Sequence, residues 1–478
     1  MRISLLKPRI SLNSKLQIAD EDFFGALRRT EYSRLDSTNH TYLDYTGGNL
    51  YPASLLKKHH ALLAKNVFGN PHSGNPTSRY STELINETRE KVLRFFNADD
   101  YICVFTQNAT GALKIVGESY PFNEKSSFVL LIDNHNSVNG IREFCNSKGG
   151  AAKYVPIQYK NLEIDEPALR KSIDETTKGE NNLFAFPAQS NVSGLKHDLK
   201  WISYAQSKGF DVLLDAAAFV PTSKLDLSLV KPEFVSVSFY KIFGYPTGVG
   251  CLLIRKSAFH KLKKPWFAGG TVSFASAVNQ TYFLTDSHER FEDGTVNYLD
   301  IPAVKFGLEY IGSIGLNRIS KRVHSLIETL AAELNKIIHD NGQPVIKILG
   351  PKSFSNRGGT LIMNFLDING EQYPNGEFEK RANDNLISIR SGCFCNPGID
   401  EINNCVTKDE VTAYFTDRKE EDYDEFISYL KEIRGATRVS VGIATTEKDI
   451  IKFTSLVRSL QNKAVANSLL SKKKVSGY

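Results

Sequence analysis

The chain has 478 residues, enough for a sizeable core and two or three domains, and its 41% apolar and 23% charged residues are ordinary for a soluble globular protein. A formal charge of +6 on that length gives no electrostatic case for a nucleic-acid or membrane partner, and no apolar stretch has the length of a transmembrane helix. The six cysteines, Cys103, Cys145, Cys251, Cys393, Cys395 and Cys405, make no disulfide framework and fit a reducing compartment.

The N-terminal MRISLLKPRISL alternates basic and apolar residues without the continuous apolar run of a signal peptide. It is poor in acids up to Asp20, which leaves an organelle-transit reading beside the cytoplasmic one that the chain as a whole favours. From Tyr101 to Arg255 short apolar runs alternate with helical segments. The runs are ICVFT from Ile102, FVLLI from Phe128, AKYVPI from Ala152, LFAFP from Leu183, DVLLD from Asp211, FVSVSF from Phe234 and GCLLI from Gly250. Segments 137–148, 165–174 and 198–208 carry helical spacing. Strands alternating with helices predict an α/β domain with a mostly parallel sheet covered on both faces.

After Pro302 the pattern changes. Residues 303–341 read as a long helical region with a break near Gly312 and Gly315 and a stop at Asn341-Gly342. Shorter strands and helices follow to about residue 463, and KKKVSGY reads as a solvated tail. The expected division is an N-terminal arm (1–40) joining a small domain, a large domain (41–302), a small C-terminal domain (303–465) and a tail (466–478).

Ligands of open α/β sheets bind at the carboxyl ends of the strands. The polar residues there are TQNATG (106–111), DNH (133–135), QSN (189–191), Asp215 and SFYK (238–241). A carboxylate at Asp215 suits a metal, a ribose or a protonated ring nitrogen. Lys241 follows the next strand, 26 residues on. A lysine after a strand is ordinarily just solvated, but pyridoxal 5'-phosphate needs both a lysine for its aldehyde and an acid for its ring nitrogen. A helix starting at Ala109 offers backbone N–H groups, with the Thr110 hydroxyl, to a dianion; an ordinary N-cap reads the same way. His135 alone equally suits a hydrogen-bonded structural role. Cys393-Phe394-Cys395 lacks zinc-ligand spacing, so no metal is expected.

Several motifs together resemble one family. They are YLDYTGG (42–48), GNPHS (69–73), NATGAL (108–113), DNHNSV (133–138), LLDAAAFVPT (213–222), SFYKIFGYPTGVG (238–250), FAGGTV (267–272), RFEDGTVNYL (290–299), IRSGCFCNPG (389–398) and TRVSVG (437–442). In order and spacing they resemble the class V aminotransferase group of fold-type I pyridoxal-phosphate enzymes, in particular the cysteine-desulfurase domain of molybdenum cofactor sulfurases. The resemblance implies a seven-stranded, mostly parallel sheet with a smaller α/β domain. It implies that Lys241 carries the cofactor, Asp215 pairs with the ring nitrogen, His135 stacks on the ring and moves protons, and Asn191 reaches the ring hydroxyl. Ala109, Thr110 and Ser238 would hold the phosphate, with Thr295 reaching it from a second subunit of a homodimer. Arg438 would hold the substrate carboxylate with Arg390 beside it, and Cys395 would accept sulfur from L-cysteine as a persulfide, leaving L-alanine, for transfer to an unidentified acceptor.

Two positions depart from many relatives. Ala218 stands where a glutamine faces the ring hydroxyl, and Tyr240 stands where a histidine contacts phosphate. The chain also ends soon after the cofactor-binding fold, so the resemblance leaves out the β-rich C-terminal domain that binds the molybdenum cofactor and gives no support for sulfur delivery to that cofactor. The same lysine and aspartate would equally serve an aminotransferase, an epimerase or a carbon–sulfur lyase acting on another amino acid.

Overall fold

The computed structural model describes residues 20–176, 181–403 and 435–465. A short strand, β1 (Thr41–Tyr42), precedes the seven apolar runs, and each run forms a strand: β2 (Tyr101–Thr106), β3 (Ser127–Leu131), β4 (Ala151–Val155), β5 (Asn182–Pro187), β6 (Phe210–Asp215), β7 (Phe234–Ser238) and β8 (Gly250–Arg255). They make one sheet in the order β2-β8-β7-β6-β5-β3-β4. Every neighbouring pair is parallel except the two that involve β8, which runs antiparallel to both β2 and β7. All positions of β3, β5 and β7 are buried, as expected for strands covered by helices on both faces.

The hairpin β9 (Val272–Ser276) and β10 (Thr281–Leu284) stands apart from this sheet and exposes Phe274 and Phe283. A second, four-stranded antiparallel sheet follows. It is built from β11 (Ile346–Ile348), β12 (Thr360–Phe365), β14 (Arg390–Gly392) and β15 (Ala436–Ser440), in the order β11-β12-β15-β14. Between them β13 (Ile387–Ser388) pairs in parallel with β1, tying residues near the chain's start to its C-terminal part. The helix Glu21–Glu31 is fixed to the same part: Arg28 donates to Asp449 and to the Ala444 carbonyl, each at 2.6 Å.

The long helical region differs from expectation at its end. Gly315, at φ +87°, divides it into Ile301–Ile314 and Leu316–Asn335. The second helix stops at Asn335, short of Asn341-Gly342. Those two residues form a turn instead, closed by the antiparallel bridge between Ile338 and Pro344, with Gly342 at φ +81°. The segment 137–148 is likewise two helices, Asn136–Asn139 and Ile141–Ser147, joined at Gly140. The tail, Cys405 and the first 19 residues lie outside the described residues.

Two glycines allow the close approaches that shape the site. A Cβ on Gly250 would come within 2.7 Å of the Asn108 backbone and 2.6 Å of the Val237 carbonyl, so only glycine lets β8 pass under the turn before Ala109. Gly244, at φ +81°, ends the single-turn helix Phe239–Phe243; a Cβ there would strike the Tyr51 nitrogen at 2.3 Å.

Candidate active site

The ends of the parallel strands and the helix Ala109–Ser119 converge on one cavity, whose walls include Ala109, Thr110, His135, Asn191, Asp215, Ser238 and Lys241. Seven of the residues singled out in the sequence therefore meet in one place, although they come from five different strand ends.

Lys241 sits in the first turn after β7. Its ammonium makes no hydrogen bond or ion pair among the described residues. Burial holds its pKa below the usual lysine range; the Asp215 carboxylate opposes that shift, and the Arg438 and Arg390 guanidiniums add to it. Asp215, at the end of β6, accepts from Ser236 Oγ at 2.9 Å and from the Ala217 N–H at 3.1 Å, both on Oδ1. Those bonds orient the carboxylate and leave Oδ2 for a ligand. His135 caps a helix: its Nδ1 accepts the Ser137 N–H at 3.1 Å. An accepting Nδ1 carries no proton, so the neutral ring holds its proton on Nε2. Burial lowers the His135 pKa, Asp215 opposes that shift, and Lys241 and Arg438 reinforce it.

The helix N-terminus is arranged for an anion. Asn108 caps it, accepting the Gly111 N–H at 3.0 Å. The Ala109 N–H donates to Ser238 Oγ at 2.8 Å, and Thr110 Oγ1 lies 2.8 Å from Ser137 Oγ. Backbone N–H groups and hydroxyls from three strand ends thus gather where a phosphate would be received.

Arg390 and Arg438 are register partners on β14 and β15. Asp44, which no sequence argument assigned a role, lies between them. Its Oδ1 accepts from Arg438 Nη2 at 2.8 Å, and Arg390 Nη2 lies 3.2 Å from Oδ2. Arg438 also donates to the Asn191 carbonyl at 2.8 Å and is almost fully buried. The only signal for Asp44 was its place in YLDYTGG. Asn191 is more committed than expected: its Nδ2 donates to the Phe394 carbonyl at 2.8 Å, and its Oδ1 accepts from Asn396 Nδ2 at 3.1 Å.

Those contacts bring the cysteine loop to the cavity. The Asn136 N–H, next to His135, donates to the Cys395 carbonyl at 2.7 Å. The Phe394 ring lies under the Arg438 guanidinium at 4.7 Å. Cys393 and Cys395 are both exposed, and Cys395 is close enough to Lys241 to act on its charge. Thr295 lies elsewhere: it accepts from Asn70 Nδ2 at 3.2 Å and lines a different cavity with Gln107, Lys114 and Glu118.

The residues present fit pyridoxal phosphate. A buried amine faces a carboxylate on the adjacent strand, a helix N-terminus supplies anion donors, and an imidazole stands beside them. Of the buried polar atoms that lack partners among the described residues, two bear on the site: Gln189 Oε1, in the cavity wall, and Arg438 Nε. A ligand carrying a ring hydroxyl that donates and a carboxylate that accepts would answer both. Ala218 itself offers no donor, and Tyr240 lines the cavity in place of a histidine.

A family model described as aminotransferase class-V matches residues 41–453. The chain is 36% identical to a molybdenum cofactor sulfurase of Solanum lycopersicum, an alignment that covers 91% of this chain and 56% of that protein. It thus spans a little over half the length of that relative. Among solved structures, a cysteine desulfurase from Thermococcus onnurineus shares the fold at a TM-score of 0.76 and 22% identity, over 93% of this chain and 98% of that one. A cystine C–S lyase in complex with cysteine persulfide superimposes at a TM-score of 0.69 and 16% identity, over 90% and 100%. With the family match spanning nearly the whole described chain, and with the lysine, aspartate and helix N-terminus gathered in one cavity, this chain belongs to the aminotransferase class-V family.

Proposed function

We propose that the chain is a pyridoxal-phosphate enzyme that takes sulfur from L-cysteine, releases L-alanine, and holds the sulfur as a persulfide on Cys395 for an acceptor. One observation carries this reading above the alternatives: the backbone carbonyls of Cys395 and of Phe394 before it are both hydrogen-bonded by residues at the cavity, Phe394 by Asn191 and Cys395 by Asn136. An aminotransferase or an epimerase has no use for a thiol held there.

Lys241, Asp215, His135 and the Ala109 helix N-terminus would hold the cofactor, which, bound there, supplies an electron sink for the substrate α-carbon. The chain's own groups do the rest. Arg438, with its unpaired Nε, and Arg390 bind the substrate carboxylate. The Lys241 amine, held below the usual lysine range by burial, is available to take the proton from the substrate α-carbon. The Cys395 thiolate attacks the substrate sulfur. A sulfur–sulfur bond forms as the carbon–sulfur bond breaks, the electron pair stays on the β-carbon, and a proton there completes the alanine methyl. Exposure of Cys395 suits hand-over to an acceptor. We also infer a homodimer, in which Thr295 completes the phosphate site of the neighbouring subunit.

Pure protein incubated with L-cysteine tests this reading by assay of alanine and protein-bound sulfane sulfur together. Wild type should yield both, and Lys241→Ala neither, with no absorbance band from lysine-bound cofactor. Pyruvate in place of alanine would move the protein to the carbon–sulfur lyase reading.

A further inference from the structure

The loop that carries Cys395 is stitched to the large sheet by side chains that the reaction above does not use. Asn396 is fully buried, and its Nδ2 donates both hydrogens: to Asp133 Oδ1 at 2.7 Å and to Asn191 Oδ1 at 3.1 Å. Asp133, also fully buried, follows β3. It accepts from Ser190 Oγ at 2.9 Å on Oδ1, and His197 Nε2 lies 3.1 Å from Oδ2. Within the loop, the Asn396 N–H donates to the Cys393 carbonyl at 3.0 Å. On its far side, a Cβ on Gly398 would fall 2.2 Å from the Ile132 carbonyl, so the loop is pressed against the end of β3.

These contacts hold an unfavourable backbone. Phe394 and Cys395 are consecutive non-glycine residues in the left-handed region, at φ +56° and +55°. A loop does not keep two such residues unless its surroundings fix them. The bonds that flank them come from Asn191, Asn136 and Asn396. The Asn396 side chain is in turn bonded to the buried Asp133 carboxylate at 2.7 Å, and hydrogen bonds to a carboxylate are the stronger and more directional kind.

We propose that Asn396 is the positioning residue for sulfur transfer: anchored on Asp133, it fixes the left-handed turn from which the Cys395 thiol reaches the substrate sulfur. This rests on the reading of Cys395 as the sulfur acceptor. Asn396 is not among the residues that line the cofactor cavity, so its loss should spare binding and slow transfer.

The test is a single-turnover reaction of holoenzyme with L-cysteine, quenched in time and read by mass spectrometry for added sulfur on Cys395. The cofactor band and the L-cysteine concentration that half-saturates its change are recorded alongside. Asn396→Ala should keep the band and the half-saturating concentration, and form persulfide on the order of 100-fold more slowly, the scale of a thiol displaced by about 1 Å. Asn396→Asp sets a second carboxylate against Asp133 and should be equally slow. The double variant Asp133→Asn/Asn396→Asp restores one donor facing one acceptor and should recover a large part of the rate. It also keeps the test valid if the alanine variant fails to fold. Persulfide formation at the wild-type rate in Asn396→Ala or Asn396→Asp overturns the proposal, as does loss of rate matched by loss of L-cysteine binding. Wild type without persulfide on Cys395 overturns instead the reading on which it rests.

Discussion

Burial holds the Lys241 pKa below the usual lysine range, and Asp215 only partly offsets it. The same competition governs Arg438, where burial lowers the pKa and Asp44 opposes it. Asp44 is the counter-ion of both Arg390 and Arg438, and Arg438 is buried, so Asp44→Asn leaves a guanidinium charge uncompensated in a dry environment. Removing one partner of a buried pair costs roughly 3–5 kcal/mol, and Tm should fall accordingly in thermal unfolding. L-alanine, which carries the carboxylate of the proposed product, should recover more Tm in the variant than in wild type. An equal shift in both proteins would disconnect this pair from carboxylate binding. Residues at this scale were unevenly legible. Lys241 and Asp215 stand at strand ends, where a local pattern points to them. Asp44 meets Arg438, and Asn396 meets Asp133, across hundreds of residues, and no local pattern records such contacts.

At the scale of elements, runs of strand length were enough to place all seven strands of the large sheet; the buried β3, β5 and β7 leave an uninterrupted apolar signature, whereas the edge strand β4 is mostly exposed and carries Lys153 in its run. Direction was not legible in the same way: β8 looks like its neighbours in composition, yet runs antiparallel. The helix stop was misplaced because Asn-Gly serves a turn between bridged strands as readily as a helix end. One buried ion pair fixes the segment that leads to Thr295. Glu292 accepts from Arg89 at 2.8 and 3.2 Å and from the Phe105 N–H at 2.7 Å. Burial alone would raise its carboxyl, but the His288 hydrogen bond and the Arg89 guanidinium outweigh it and bring the pKa down to about 2. A depressed carboxyl stabilises the fold above its unfolded value, near 4.5, and that contribution is lost as pH falls from there to about 2. Glu292→Gln should cost roughly 3–5 kcal/mol at neutral pH. Its deficit against wild type, followed by denaturant unfolding, should shrink over that acid window. A deficit that does not change with pH would mean the carboxylate is not the source.

At the scale of the whole molecule, the site draws on both sheets. Lys241 and Asp215 come from the large one, Arg390 and Arg438 from the small one, and Cys395 from the loop that directly follows β14. The exposed aromatic residues of the β9–β10 hairpin, and a Thr295 that lies outside its own chain's cofactor cavity, support the proposed homodimer. Thr295→Ala should weaken cofactor retention in dialysis while leaving the fold intact, and a monomer with full activity in sedimentation would contradict the dimer. The central claim is the transfer itself, and peptide-level mass spectrometry after exposure to L-cysteine, without added thiol, tests it most directly. The account predicts one added sulfur on the Cys395 side chain for each alanine released, and none in Cys395→Ala. Added sulfur on Cys393, or alanine released by Cys395→Ala at the wild-type rate, would contradict it.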